Sequence, residues 1–261
     1  MKIAFIGSGK MAEALIARLP SRQVIISDID RGRLEYLKKK YSVAIAADNK
    51  QAWDAADVVV LAVKPQQISV ILEELKGRKK KLVVSIAAGI PLSYLRKRLS
   101  GSPVVRVMPN NPCLIGAGIS ALVKGSGVTP GQFKQVENIF KLVGETVVVP
   151  EKWLDAVTGL SGSGPAYVYV VMEALIEGGK KNGLPVALAK KLALQTVYGS
   201  AKAALMSGIE PGGLREMVTS PGGTTMEGLA VLKDRKVFDA FASAVSAASR
   251  KSKLLGRQWA N

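Results

Sequence analysis

The chain of 261 residues is 48% hydrophobic and only 5% aromatic, the balance of an aliphatic globular protein with room for one large domain or two ordinary ones. Its formal charge of +17 comes with no histidine, which removes imidazole acid–base catalysis and His-ligated metal sites. One cysteine, Cys113, leaves no internal disulfide framework, and no apolar run approaches the roughly 18–20 residues that span a bilayer.

The apolar run at residues 2–6 reads as a buried parallel strand, and Gly7 and Ser8 end it too early for a signal peptide. Gly7-Ser8-Gly9-Lys10-Met11-Ala12 follows, and a helical stripe at Met11, Leu15, Ile16 and Leu19 runs to Pro20. Residues 24–27 predict the next strand, with Asp28 behind it. A charged helix is predicted over 31–40 and a short strand over 43–47. Buried strands are expected at 57–63, 82–86 and 104–108, and further strands at 119–123 and 146–149. Helices are expected at 68–75, 91–99 and 131–142. Such alternation predicts an α/β fold, a Rossmann-type doubly wound parallel sheet over residues 1–150.

Past Pro150 the strand signal ends. Residues 167–175 are apolar almost all round, the mark of a helix buried on every side, and 188–206 and 237–255 extend an all-helical segment over 151–261. So apolar a segment of this size cannot easily cover itself, and a partner subunit is the simplest remedy.

Strand, Gly7-x-Gly9-x-x-Ala12 and helix form the dinucleotide fingerprint in its Ala-ending form. Gly7 permits the tight turn, Gly9 lets a pyrophosphate approach the backbone, and Ala12 allows close helix–strand packing. Asp28 ends the second strand, where a carboxylate commonly accepts from the ribose hydroxyls of NAD. It would repel the 2′-phosphate of NADP, unless Arg31 or Arg33 offsets it. Asp28 or Asp30 serving as a helix cap is the equal alternative. The strand ends Ala62-Val63-Lys64-Pro65, Ala87-Ala88-Gly89 and Met108-Pro109-Asn110 leave room for a flat ring against backbone. In the helical half, Leu160-Ser161-Gly162-Ser163-Gly164-Pro165-Ala166 and Thr219-Ser220-Pro221-Gly222-Gly223-Thr224-Thr225 each place hydroxyls and backbone N–H groups at an expected helix start, which suits a small carboxylate.

Cys113 has no base to activate it and reads as a buried, inert thiol. The basic residues are mostly spread at helical spacing. The run Arg78-Lys79-Lys80-Lys81 has no interleaved aromatics, so neither a nucleic-acid partner nor a membrane is expected, and the protein is expected in the cytoplasm.

These motifs, in this order and over essentially the whole chain, resemble the pyrroline-5-carboxylate reductase family. Beside the fingerprint and the strand ends, the match runs through Thr158-Gly-Leu-Ser-Gly-Ser-Gly-Pro-Ala-Tyr167 and Val218-Thr-Ser-Pro-Gly-Gly-Thr-Thr225. The resemblance implies reduction of (S)-1-pyrroline-5-carboxylate to L-proline by hydride from NADPH or NADH. It implies that Ser220, Gly222, Gly223, Thr224 and Thr225 hold the imino acid with Asn110. The N–H groups of Gly223 and Thr224 would lie on its carboxylate and the Thr225 hydroxyl on the ring nitrogen. For the cofactor it implies Gly7, Ser8, Gly9, Lys10, Met11, Asp28, Arg31, Asn49, Ala62, Val63, Lys64, Pro65, Ala87, Ala88, Gly89 and Met108. It also implies a homodimer through the helical domain, often assembled further into rings.

Asp28 departs from the family, whose NADPH-preferring members carry Ser, Thr, Asn or Arg there; NADH is therefore expected to serve at least comparably. A β-hydroxyacid dehydrogenase of the same plan would carry a lysine on the first long helix of the second half, and residues 165–176 contain none. A non-catalytic dinucleotide sensor would leave residues 220–225 without a purpose.

Overall fold

In a computed structural model, which describes residues 1–99 and 101–259, the alternating pattern becomes β1 (Ile3–Ile6), α1 (Lys10–Ile16), β2 (Val24–Ser27), α2 (Arg31–Tyr41), β3 (Ala44–Ile45), α3 (Asn49–Ala55), β4 (Val58–Leu61), α4 (Ile68–Glu74), β5 (Leu82–Ser85), α5 (Leu92–Arg98), β6 (Val104–Met108), β7 (Gly118–Lys124), α6 (Pro130–Lys141) and β8 (Gly144–Val148). Among the described residues these strands form one sheet in the order β3-β2-β1-β4-β5-β6-β7-β8. The central strands β1, β4 and β5 are buried from end to end, which is why they read as unbroken apolar runs. Their two faces feed two hydrophobic cores. One is filled by Phe5, Leu15 and Phe140, the other by Trp53, Leu61 and Leu72.

The sheet departs from the fully parallel expectation at one place. β7 runs antiparallel to β6, pairing Met108 with Ala121, and β8 then lies parallel to β7. Only residues 109–117 join β6 to β7, fewer than the dozen or so that a parallel crossover needs, so the chain has to turn back on itself. A helix not expected from the sequence, α3, starts where the Asp48 carboxylate accepts from the Gln51 N–H at 2.7 Å.

By packing, the chain divides into two units. The first holds Met1–Ser163 together with the C-terminal stretch from Ser246, and the second is Gly164–Val245. Residues 151–163 therefore pack with the sheet although the strand pattern ends near 150. Glu151 Oε1 accepts from the Leu92 N–H at 2.8 Å and from Arg106 at 2.6 Å. Within this stretch α7 (Leu154–Val157) continues into a π-turn, Thr158–Gly162.

The second unit contains α8 (Gly164–Lys181), α9 (Val186–Ser207), α10 (Pro211–Met217), α11 (Thr224–Asp234) and the start of α12 (Val237–Arg257). The expectation that residues 167–175 are buried on every side is corrected here. No residue of α8 is buried, and Val170 is 59% exposed. Among the described residues, apolar side chains of α8 such as Val168, Val170 and Leu175 remain exposed within this chain. Among the described residues, no helix is long and apolar enough to cross a membrane, and no group of His, Cys, Asp and Glu is arranged to hold a metal ion.

Candidate active site

The parallel strands end together on one edge of the sheet, and the residues expected to hold a dinucleotide gather there. Gly7 leaves β1 with φ +90°, its N–H donating to Ser27 O at 2.9 Å. A Cβ at Gly7 would stand 2.8 Å from the carbonyl carbon and oxygen of Ala62 and from Val63 Cγ1. Only glycine fits, because the turn after β1 presses on the end of β4. Gly9, in contrast, has nothing within 4 Å of where a Cβ would lie, so the backbone is open to a large group at the point where the fingerprint requires it. Gly9 is also the N-cap of α1 and has no capping side chain, and the first helical bond runs from Glu13 N–H to Gly9 O. Among the described residues, the N–H groups of Lys10, Met11 and Ala12 have no acceptor within the chain, and they are the donors a pyrophosphate takes. The residues present therefore fit a dinucleotide.

Ser8 is fully buried. Its N–H and hydroxyl both donate to Asp28 Oδ2, at 2.6 and 2.8 Å. Asp28 Oδ1 accepts from the Asp30 N–H at 3.0 Å. The cap of α2 is not Asp28 but Asp30, whose carboxylate accepts from the Arg33 N–H. Burial raises the Asp28 pKa, yet the N–H groups of Asp30 and Ser8 and the Ser8 hydroxyl outweigh it and hold the carboxyl below its usual range. Arg31 is exposed, as a phosphate counter-charge would be. Arg33 is already committed, with Nε on Ser8 O at 2.7 Å and a terminal nitrogen on Glu13 at 2.6 Å.

Asn49 opens α3 and bridges two elements. Its Oδ1 accepts from the Ser27 hydroxyl and its Nδ2 donates to Glu74, both at 2.7 Å. Lys64 is exposed and Pro65 starts a 3-10 turn. Ala87 and Gly89 are buried and Ala88 half-buried, and a Cβ at Gly89 would touch Leu255 and Gly256 near the end of α12. Met108 is half-buried, its methyl group against Gly162. Asn110 Oδ1 accepts from the Ile119 N–H at 2.9 Å, which pins the reversal between β6 and β7. Cys113 is fully buried.

The residues that pattern reading missed are Glu13 and its partners. Glu13 is 7% exposed and accepts from Arg33, Lys40, Tyr36 and Tyr41. Burial raises its pKa, but the hydrogen bonds from Arg33, Lys40 and Tyr41 more than offset this and hold it at about 2. The available signal was an acid directly beside Ala12 and Ala14 on the core-facing side of α1.

The two Gly-rich segments after residue 150 differ. Ser161 lies in the π-turn and Ser163 directly precedes α8, which begins at Gly164. The Ser163 N–H donates to Thr158 O at 2.9 Å, and the Thr158 and Ser161 hydroxyls donate to Leu154 O and Val157 O. These bonds close the π-turn and commit the Thr158 and Ser161 hydroxyls to the backbone. Residues 219–225 do enter a helix. Gly222 has φ +69°, Gly223 is the N-cap of α11 without a side-chain cap, and a Cβ at Gly223 would collide with Ser220 Oγ. The Gly223 N–H, expected to be free for a carboxylate, already donates to Ser220 O at 3.0 Å, and that of Gly222 to Met226 Sδ. Among the described residues, the N–H groups of Thr224 and Thr225 and the Thr225 hydroxyl have no partner within the chain.

The family models match the two halves separately. Residues 151–255 match pyrroline-5-carboxylate reductase dimerisation, and residues 2–89 match NADP oxidoreductase coenzyme F420-dependent. The pyrroline-5-carboxylate reductase of Synechocystis is 42% identical over 99% of both chains. The chain belongs to the pyrroline-5-carboxylate reductase family. It is accordingly an NAD(P)H-dependent oxidoreductase and a homo-oligomer through its helical half. Among solved structures, a pyrroline-5-carboxylate reductase from Coxiella burnetii superposes with a TM-score of 0.89 at 38% identity, covering 97% of this chain and 98% of that one. The Plasmodium falciparum pyrroline carboxylate reductase with NADP bound gives 0.90 at 33% identity, over 98% of both chains.

Proposed function

We propose that this chain reduces (S)-1-pyrroline-5-carboxylate to L-proline, the last step of proline biosynthesis, in the cytoplasm. The observation that carries the reading is the intact segment of residues 220–225, which has no use in a plain dinucleotide-binding protein. When bound, the nicotinamide nucleotide supplies hydride. The first unit's task is to hold that nucleotide through the N–H groups of Lys10, Met11 and Ala12 and the open backbone at Gly9. The Thr224 and Thr225 N–H groups, at the start of α11, hold the imino-acid carboxylate, with Ser220 and Gly222 shaping the turn. The Thr225 hydroxyl donates to or accepts from the ring nitrogen, and Asn110 contributes from its place after β6.

A cyclic imine is protonated before hydride arrives, and the iminium is already electrophilic. Positioning and one hydrogen-bonding group therefore suffice, which fits a chain without histidine. The apolar outer faces of the helical unit support a homodimer that assembles further into rings of dimers. The test is turnover of pyrroline-5-carboxylate with NADH and with NADPH, followed at 340 nm. Formation of proline is expected with both, and no turnover with either would end the reading.

A further inference from the structure

The loop after β2 and the turn after β1 are closed into a ring of hydrogen bonds. Ser8 N–H and hydroxyl donate to Asp28, the Asp30 N–H donates to Asp28, the Arg33 N–H donates to Asp30, and Arg33 Nε returns to Ser8 O. Glu13, buried and ionised, anchors the other end of the Arg33 guanidinium at 2.6 Å. Ser8 carries no conformational freedom once its N–H, hydroxyl and carbonyl are all bonded.

We infer that Asp28 is a positioning residue for the pyrophosphate-binding turn and not the selector between NADH and NADPH. This inference rests on the nucleotide-binding reading of that turn. Selection by a carboxylate at this place works when both its oxygens accept from the two ribose hydroxyls and its charge faces a 2′-phosphate. Here Oδ2 already takes two donors from Ser8 and Oδ1 takes one from Asp30, which leaves acceptor capacity for at most one hydroxyl. The negative charge is likewise shared among three donors, with the Arg33 guanidinium bonded to the same serine. What Asp28 holds is Ser8, and through it the backbone at Gly9. Loss of its charge loosens the support of the pyrophosphate, which NADH and NADPH have in common.

The experiment is calorimetric titration of NADH and NADPH into the wild type, Asp28→Asn, Arg33→Lys and Ser8→Ala. Amide hydrogen exchange is followed in the nucleotide-free proteins. Asn cannot accept the Ser8 pair and the Asp30 N–H with the strength of a carboxylate. Lysine keeps the charge near Glu13 but cannot serve Ser8 O and Glu13 with one planar group. Asp28→Asn and Arg33→Lys are expected to raise both dissociation constants by the same factor, on the order of 10–100-fold. The NADPH-to-NADH ratio should move by less than about fivefold. Exchange should quicken at Ser8, Gly9 and Lys10 and stay unchanged in β4 and β5. The loss should fall on the nucleotide KM more than on kcat. A ratio that moves by more than about fivefold, or exchange that quickens throughout the sheet, overturns the inference. Should Asp28→Asn not fold, Ser8→Ala and Arg33→Lys decide by the same two readouts. Failure of the wild type to bind either nucleotide would instead end the underlying reading.

Discussion

Gly7 and Ala62 stand so close that a single methyl group on the former would lie 2.8 Å from the carbonyl carbon and oxygen of the latter. The contact joins the dinucleotide turn to the end of the neighbouring strand, and Gly9, two residues on, has open space instead. Gly7→Ala combines a backbone clash with a left-handed φ of +90°. It is expected to lower stability by about 1–3 kcal/mol from the conformation alone, seen as a drop in Tm, and to abolish nucleotide binding. Gly9→Ala should leave Tm unchanged and still weaken the nucleotide. Equal Tm losses in the two variants would show that the close approach is not what the turn requires.

Glu13 sets an acid limit on the fold. Its folded pKa of about 2 lies below the ordinary value of 4.5, so the stability it contributes is complete above 4.5. That contribution is lost as pH falls from 4.5 toward 2. Glu13→Gln is expected to lower stability at pH 7 by roughly 1.5–3 kcal/mol, the worth of a hydrogen bond to a charged group, seen as a drop in Tm. It should also flatten the Tm–pH curve over that acid window. Curves of wild type and variant that run parallel from pH 7 to pH 2 would exclude the role.

Arg106 and Glu151 form an unequal pair. The Arg106 side chain is 8% exposed and that of Glu151 37%, at 2.6 Å. Glu151→Ala strands a buried guanidinium and is expected to cost about 3–5 kcal/mol. Arg106→Met leaves Glu151 able to reach water and still bonded to the Leu92 N–H, and should cost less. Denaturant unfolding that gives the reverse order would contradict the burial argument.

Thr225→Ala should slow the hydride step while nucleotide affinity stays near normal, by on the order of 10–1000-fold for one hydrogen bond to the reacting nitrogen. Single-turnover rates at saturating imino acid give the answer. A wild-type rate there would remove Thr225 from the mechanism.

The apolar outer face of α8 predicts how the oligomer fails. Val170, 59% exposed within one chain, is expected to be covered by the partner subunit. Val170→Glu would then place a charge in a desolvated contact. Light scattering should show the variant shifted to smaller species at micromolar concentration. An oligomer of unchanged mass and stability would put the interface elsewhere on the helical unit.

The amino-acid order alone determined the elements on which the cofactor half depends. Short unbroken apolar runs such as residues 58–61, bounded by turn residues and rich in β-branched side chains, mark strands buried on both faces, and Gly7 carries a constraint that an L side chain would violate. The helical second half was legible for the same reason, because its apolar positions leave no alternating face. Strand direction at β7 was not legible, since a buried strand is equally apolar whichever way it runs and only the short connection from β6 decided it. The π-turn at residues 158–162 was not legible, because hydroxyls beside glycines suit a helix start and a π-turn alike and the choice rests on bonds back to residues 154, 157 and 158. The roles of Asp28, Arg33 and Glu13 were decided by tertiary structure alone. The partners that decide these roles lie 20 or more residues away along the chain, and only folding brings Ser8, α1 and α2 together so that these hydrogen bonds are made.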